Sequence, residues 1–509
     1  MKFGDLIASR ASCLRSKTAV IYKDKEYSYS EIDANANSVA AFLRANGIGS
    51  GNRVVYIAYN SEMYFEILTA CSRLGAVFTP ISWRMCAEDI IRLVDATDAK
   101  VAFVSKSFLE QLEASEHSIS GNRKIIVIDE YSEDYTNYSE CLAYPNEDIC
   151  SDDSSGEGCL MQIYTSGTTS IPKGVMLSDN AICSHALGHL TDIGQTGNSV
   201  FMCVLPLFHA SSSGAIATLI AGATLVVLER FRPKAYLEAV ERYKATALSL
   251  TPSMFSALLG EIDAGSYDLA SVKSVIYGAE PILAKYIRKA NEKLGCSFYQ
   301  LFGMSEMGPV ITLLRAEDHS VKDDALLEKR LKSVGTVALG AKIKIVAPDG
   351  SECPVGQPGE IYAKGLGQMM CYYDAPEKTA SVFSDGWYHT GDVGYIDEDN
   401  YLYLVGRMSD MIITGGENVY PKSVEECILA LNGVENAAVI GVKDDHLGEA
   451  VTAVIVKAPS AKLDEETVRN WCKGKIAGFM KPRKVYFVNE MPVNSTGKID
   501  KRKLTEMFN

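Results

Sequence analysis

From residue 160 onward the chain alternates short apolar runs with helical stretches, and this alternation limits the possible folds more than any other feature. CLMQIY, FMCVL, ATLVVL, TALSL, SVIY and SFYQL read as strands, separated by helical segments such as 233–244 and 282–294. Strands that alternate with helices build a parallel, doubly wound sheet, and such sheets bind ligands beyond the carboxyl ends of their strands. Four of the following loops are unusual: TSGTTSIPKG, PLFHASSSG, GAEP and FGMSE. All four are expected to converge on one crevice.

A chain of 509 residues exceeds the roughly 250–300 residues that one core supports. The pattern changes at 406–420, where GRMSDMIITGGENVYP carries two adjacent glycines and a proline before a helix from about Lys422. Beyond it, AAVIGV, TAVIV and KVYFV are short strands mixed with helices. The expected fold is α/β: a large N-terminal domain, 1–407, with doubly wound, mostly parallel sheets, and a small mobile α+β domain, 408–509, hinged near 407–410. The acidic Ser-, Asp- and Gly-rich stretch 131–158 reads as a connector between an N-terminal lobe and the next one. The stretch from Gly214 to Leu228 is broken by Gly222 and Thr224 and falls short of the roughly 20 residues of a membrane span; it reads as helix, turn and strand.

Charge and cysteine content remove several functions. A net charge of -14 argues against binding nucleic acid, which needs a basic face to neutralise phosphates. Any phosphate ligand must be held by a local site. The 13 cysteines are odd in number and scattered without CxxC pairs, so neither a zinc site nor a disulfide framework is expected; a cytoplasmic, reducing setting fits. The sequence shows no transmembrane segment and leaves the oligomeric state open, a homodimer included.

Each loop has a chemical reading and a plain one. TSGTTSIPKG, 165–174, packs two glycines, five hydroxyls and Lys173 into ten residues, a composition that suits a polyphosphate; it is not a Walker A loop, and a polar surface loop fits equally. In FGMSE, Phe302 could stack on a flat base and Glu306 could hold Mg²⁺ through one carboxylate. Taken alone, a core aromatic and a solvated acid are the simpler reading. Asp392 in HTGD and Arg407 in GR suit a ribose and a phosphate, or pair with each other structurally. NSTGKIDKRK, with Lys498, reads alone as a solvated basic tail, and His209 in LPLFHASSSG as a satisfied core histidine.

Order and spacing carry more than any single loop. YTSGTTSIPKG, LPLFHA, YGAEP, FGMSE, GWYHTGD, GRMSDMIITGGENVYP and NSTGKI follow one another as in the acyl- and aryl-CoA synthetases of the adenylate-forming superfamily, which this chain resembles over nearly its whole length. The resemblance implies ATP, Mg²⁺ and coenzyme A as ligands and a small carboxylic acid as substrate. It implies that Thr165, Ser166, Gly167, Thr168, Thr169 and Lys173 line the ATP phosphates, and that Gly278, Ala279 and Glu280 border the adenine, with Phe302 stacked on it. Ser305 and His209 would serve catalysis beside Glu306, which would hold the metal; Ser305 would contact the α-phosphate. Asp392 and Arg407 would hold the ribose. Lys498 would bridge the carboxylate and α-phosphate during adenylation. The small domain would then swing about Ser409 and open a pantetheine path beside Gly415 and Gly416. Ser170, Phe302, Ser305 and Ser409 replace residues more common in the family; Ser170 would stiffen the phosphate loop.

In the same family the acyl pocket would be lined by His209, Ala210, Ser211, Ser212, Tyr277, Leu301, Met304, Pro309 and Val310. No lysine or arginine is among them, which argues against a dicarboxylate, and PLFHASSSG lacks the aspartate that grips an amino acid. The small residues from Ala210 to Gly214 favour a medium- or long-chain fatty acid; an aryl acid is the alternative, and an acceptor on a carrier protein is a further one.

Overall fold

The computed structural model describes residues 1–509 apart from 116–118, 120, 122, 147–148, 150–154, 166–171, 210, 279–281, 283, 309, 459–460 and 494–498. The described chain falls into two compact units. One is built from residues up to 343 and from 363–387; the other takes 344–362 and 388–509, more than the 408–509 segment alone.

The first unit holds two large mixed sheets. A nine-stranded sheet runs through Thr336–Val337, Thr312–Leu314, Ser297–Phe302, Ser274–Gly278, Ala247–Leu250, Val200–Cys203, Thr224–Val227, Thr18–Tyr22 and Lys25–Ser28. Its middle pairs are parallel and its two ends antiparallel. An eight-stranded sheet runs through Cys371–Tyr372, Lys173–Ser178, Cys159–Thr165, Val77–Pro80, Arg53–Ile57, Val101–Val104, Lys124–Val127 and Thr136–Asn137. The central strands are buried on both faces, as the near-continuous apolar runs VVYI and VAFV require. Ile90, Ile91 and Val94 of one helix and Phe108, Leu109 and Leu112 of another close the core over Val55, Val104 and Val127.

Two sequence expectations need correction. Strand Cys159–Thr165 belongs to the eight-stranded sheet, whereas Val200–Cys203, Ser274–Gly278 and Ser297–Phe302 belong to the nine-stranded one. It is followed by the antiparallel strand Lys173–Ser178, not by a helix. Alternation along a chain says nothing about which of two sheets a strand joins. The stretch 131–158 does not link two lobes: Thr136–Asn137 pairs with the strand Lys124–Val127, and both flanks lie in the first unit. The helix Ser212–Ile220, the turn at Gly222 and the strand Thr224–Val227 are as expected.

In the second unit, Val434–Asp444 and Gly448–Lys457 form a long antiparallel pair, with Lys484–Val488 parallel to the latter. Ile412, Val424, Ile428, Val451, Ile455 and Val468 make its core. Strands Ile412–Thr414 and Glu417–Val419 are joined by Gly415 and Gly416 alone, at φ +58° and +84°. A two-residue hairpin turn with both φ positive strongly favours glycine, so this pair has a backbone reason to be there. No helix among the described residues is long and apolar enough to cross a membrane, and every described cysteine is a free thiol.

One buried histidine gives a test of this packing. His319 is 2% exposed; its Nδ1 lies 2.7 Å from the Arg315 carbonyl and its Nε2 2.8 Å from the Tyr277 hydroxyl. A neutral ring that donates from Nδ1 and accepts at Nε2 satisfies both contacts. Burial pushes its pKa down to about 4, against the pull of the Arg315 carbonyl and Asp318. Above about pH 6.5 the ring is neutral in both states; from there down to about 4 only the unfolded chain takes the proton, so stability falls as pH falls. Replacing His319→Asn should therefore give a smaller loss of Tm between pH 7 and 5 than wild type shows, as thermal unfolding at each pH would record.

Candidate active site

Two segments distant in sequence meet where the phosphate loop would end. Cys371 and Tyr372 pair antiparallel with Met176 and Val175, next to Lys173. The Tyr372 hydroxyl donates to Glu306 Oε1 at 3.0 Å, and the Lys173 ammonium lies 5.4 Å from the centroid of the Tyr372 ring. Burial lowers the pKa of Lys173, the charge of Lys378 lowers it further, and the Glu306 carboxylate pulls it back up. Lysine, phenol and carboxylate thus form one connected group.

Glu306 sits in a single 3₁₀ turn, Ser305–Met307, held in place from both sides. Its carbonyl accepts from the Met369 N–H at 2.8 Å. Gly308 ends the turn at φ +73°, where an added Cβ would lie 2.3 Å from the Gly367 carbonyl. Only glycine lets the two backbones pass.

The helix Asp179–Ile193 follows the strand Lys173–Ser178 directly. Ser178 caps it by accepting from the Ala181 N–H, and Gly194 ends it in the left-handed region. His185 and His189 lie four residues apart and so share one face. The Val310 N–H donates to His185 Nε2 at 3.2 Å, which fixes the proton of a neutral ring on Nδ1. Among the described residues that Nδ1 is buried without a hydrogen-bond partner, as are both ring nitrogens of His189. Burial pushes the pKa of His185 down to about 3, helped by His189, and that of His189 to about 4, against Asp192. Both rings are neutral donors at physiological pH. They border two adjoining cavities: His185, His189, Leu301, Val310 and Leu313 line one, and His185, Ile163, Ile216, Ser212, Ser213 and Gly308 the other.

The sequence-derived residues fall into three groups. Leu301 and Val310 line the first cavity and Ser212 the second, while Lys173 and Glu306 meet at Tyr372. Ser211 turns its hydroxyl back to the Pro206 carbonyl at 2.7 Å, and Ser212 is 2% exposed, so the run after His209 is less roomy than its residue sizes imply. His209 is half-buried, edge-on to Phe208 at 4.4 Å. Thr165, Phe302, Met304 and Ser305 are half-buried at strand ends or in the 3₁₀ turn. The Tyr277 placement is a correction: its ring is fully buried and its hydroxyl engaged with His319, so it packs the core and does not open onto either cavity. Gly278 has a packing reason, since a Cβ there would lie 2.6 Å from the Leu301 carbonyl.

In the second unit Arg407 and Asp392 stand opposite each other across a hairpin, and Arg407 Nε donates to Asp392 Oδ1 at 2.9 Å. Ser409 is exposed in a 3₁₀ turn and donates to Asp410. Ser166, Gly167, Thr168, Thr169, Ser170, Ala210, Ala279, Glu280, Pro309 and Lys498 lie outside the described residues.

Sequence reasoning missed Tyr372, His185 and His189. HALGH does carry the i, i+4 spacing of a shared helix face. Tyr372 has no such local signal, because its place depends on a strand pairing.

Residues 7–373 match the family described as AMP-binding enzyme, and residues 423–498 match the AMP-binding enzyme C-terminal domain. A feruloyl-CoA synthase of Amycolatopsis sp is 31% identical over 501 residues, covering 98% of this chain and 97% of that protein. An indoleacetate–CoA ligase of Aromatoleum aromaticum is 29% identical over 504 residues, covering 98% and 97%. Among solved structures, the o-succinylbenzoate CoA synthetase from Bacillus subtilis in complex with its acyl-adenylate intermediate superposes with a TM-score of 0.86 at 25% identity, over 98% of this chain and 97% of that one.

The geometry at Gly308 is directly testable. Gly308→Ala should destabilise the protein by about 2 kcal/mol or more, since a strained φ and a backbone clash add. A Tm unchanged within a degree would show that the 306–308 and 367–369 backbones do not approach as described.

Proposed function

The chain belongs to the AMP-binding enzyme family and is an AMP-forming acid–thiol ligase of the acyl- and aryl-CoA synthetase kind, and from that premise we propose that it joins an aromatic carboxylic acid to coenzyme A through an acyl-adenylate. The observation that supports the aromatic reading is the pair His185 and His189 on a wall that also carries Asp192 and is otherwise apolar. An alkyl chain would cover those N–H donors without offering an acceptor, which costs free energy; a ring bearing an oxygen substituent offers one. Relatives named for feruloyl and indoleacetate substrates support the same reading. A medium- or long-chain fatty acid is the second reading, favoured by Met161, Ile163, Leu177, Ile182 and Ile216 along the second cavity.

The roles proposed for the site follow from charge. Adenylation brings a carboxylate against a triphosphate, so positive charge must be supplied locally. Lys173 would meet the phosphates, and Lys498 would bridge carboxylate and α-phosphate. Asp392 and Arg407, already in contact, would present a carboxylate and a guanidinium to ribose and phosphate. Glu306 fits a Mg²⁺ ligand: one oxygen accepts from Tyr372, and the other takes no hydrogen bond among the described residues. That is the donor set of an ion held mainly by substrate phosphates and water. Bound there, Mg²⁺ would neutralise phosphate charge. The segment from 408 onward is proposed to move between adenylation and thioester formation, withdrawing Lys498 and presenting Gly415 and Gly416 to the thiol.

A panel of carboxylic acids scored by CoA-dependent AMP formation tests the substrate. Ferulate, 4-coumarate, indoleacetate and benzoate are expected to exceed fatty acids from hexanoate to palmitate by about tenfold or more in kcat/KM, and His189→Leu to cost the oxygen-substituted acids about tenfold while sparing unsubstituted ones. The reverse order, fatty acids first, would sink the aromatic reading and leave the ligase chemistry intact.

The two-step scheme has its own test in Lys498→Ala. This variant should lose adenylation by orders of magnitude, measured as pyrophosphate release, yet form thioester from supplied acyl-AMP near the wild-type rate. Near-normal adenylation would remove Lys498 from the first step.

A further inference from the structure

The geometry points to Tyr372 as a positioning residue that holds the Glu306 carboxylate and the Lys173 ammonium in one arrangement, so that metal and phosphates are met together. This inference rests on the proposed reading of Glu306 as the metal carboxylate and Lys173 as the phosphate lysine.

Three contacts carry it. The Tyr372 hydroxyl donates to Glu306 Oε1 at 3.0 Å, which fixes the rotation of the carboxylate and leaves Oε2 to face a ligand. The ring of the same residue lies under the Lys173 ammonium at 5.4 Å, within the reach of a cation–π contact. Tyr372 is itself only 3% exposed, and its N–H donates to Thr379 Oγ1 at 3.0 Å, so the ring does not wander. The neighbouring N–H groups of Met370 and Tyr373 donate to the carbonyls of Met176 and Gly174, pinning the segment to the strand that begins at Lys173. One aromatic side chain thus links two charges that would otherwise be held only by separate loops.

Ring and hydroxyl make separable contributions. Partners that orient a metal ligand typically change metal affinity about 10–100-fold when lost. Tyr372→Phe keeps the ring under Lys173 and removes the hydrogen bond to Glu306. Tyr372→Leu removes both.

The experiment is a fluorescent ATP analogue titrated onto the full chain, with Mg²⁺ varied from EDTA to millimolar. Tyr372→Phe is expected to raise the half-saturating Mg²⁺ about tenfold, with metal-free nucleotide affinity unchanged. Tyr372→Leu is expected to weaken metal-free nucleotide binding as well. Glu306→Gln completes a double-mutant cycle: if Tyr372 acts through Glu306, the Tyr372→Phe/Glu306→Gln protein is no worse in Mg²⁺ than Glu306→Gln alone. The inference is overturned if Glu306→Gln shifts the Mg²⁺ response and Tyr372→Phe does not, or if the two losses simply add, which a general effect on folding would produce. If neither variant moves the Mg²⁺ response, the metal reading of Glu306 fails, and this inference falls with it.

Discussion

Two backbone hydrogen bonds seat the segment around Tyr372: the Tyr373 N–H donates to the Gly174 carbonyl at 2.7 Å, and the Met370 N–H to the Met176 carbonyl at 2.8 Å. On the other side the Met369 N–H reaches the Glu306 carbonyl. A short extended segment is thereby stitched to the edge of the eight-stranded sheet and to the 3₁₀ turn that follows a strand of the nine-stranded sheet. The mutual placement of lysine, phenol and carboxylate depends on this stitching. It also explains the glycines: Gly308 and Gly367 are needed because the backbones run too close for any side chain.

The histidine face of helix 179–193 follows from the same economy. The helix is anchored through Asp179, which accepts from the Phe3 N–H and the Ser72 hydroxyl at 2.6 Å each. A rigid helix start fixes the direction of later side chains, so His185 and His189 are held against the cavities by backbone geometry. Their neutral rings add donors without adding charge. That suits a site which must already bring together two anions.

Much of this was legible in sequence. Strands such as SVIY and SFYQL are short apolar runs whose length and flanking loops leave little choice, and the glycine pair at 415–416 marks a change of pattern, although the hairpin it turns is not read from the sequence. Other features depend on pairing between distant segments, which local pattern does not encode. The membership of Cys159–Thr165 in a second sheet is one. Another is Tyr277: in the string YGAEP it stands beside a ligand loop, yet strand alternation turns its ring to the core and toward His319. Tyr372 is the converse, an ordinary tyrosine in CYYDAP that becomes notable only once Cys371 and Tyr372 pair with Met176 and Val175.

The proposed movement about Ser409 can be weighed from the contacts near it. The turn Met408–Asp410 is closed by a long hydrogen bond, Met411 N–H to the Met408 carbonyl at 3.4 Å, so little backbone bonding would be lost were it to rotate. The resistance lies elsewhere. Lys422, at the start of helix Pro421–Leu429, donates to the Leu404 carbonyl at 3.1 Å, and Tyr420 packs over Gly406. These contacts lie within one compact unit, which takes in residues before 408. Burial lowers the pKa of Lys422, and the charges of Glu426, Asp392 and Glu425 pull it back up; Glu425 and Glu426 lie on its own helix, whereas Asp392 lies before the turn. Releasing the ammonium to water would return that desolvation and give up both the hydrogen bond to the Leu404 carbonyl and the attraction of Asp392. The gain and the losses oppose each other, so the contact would resist the proposed movement only by their difference.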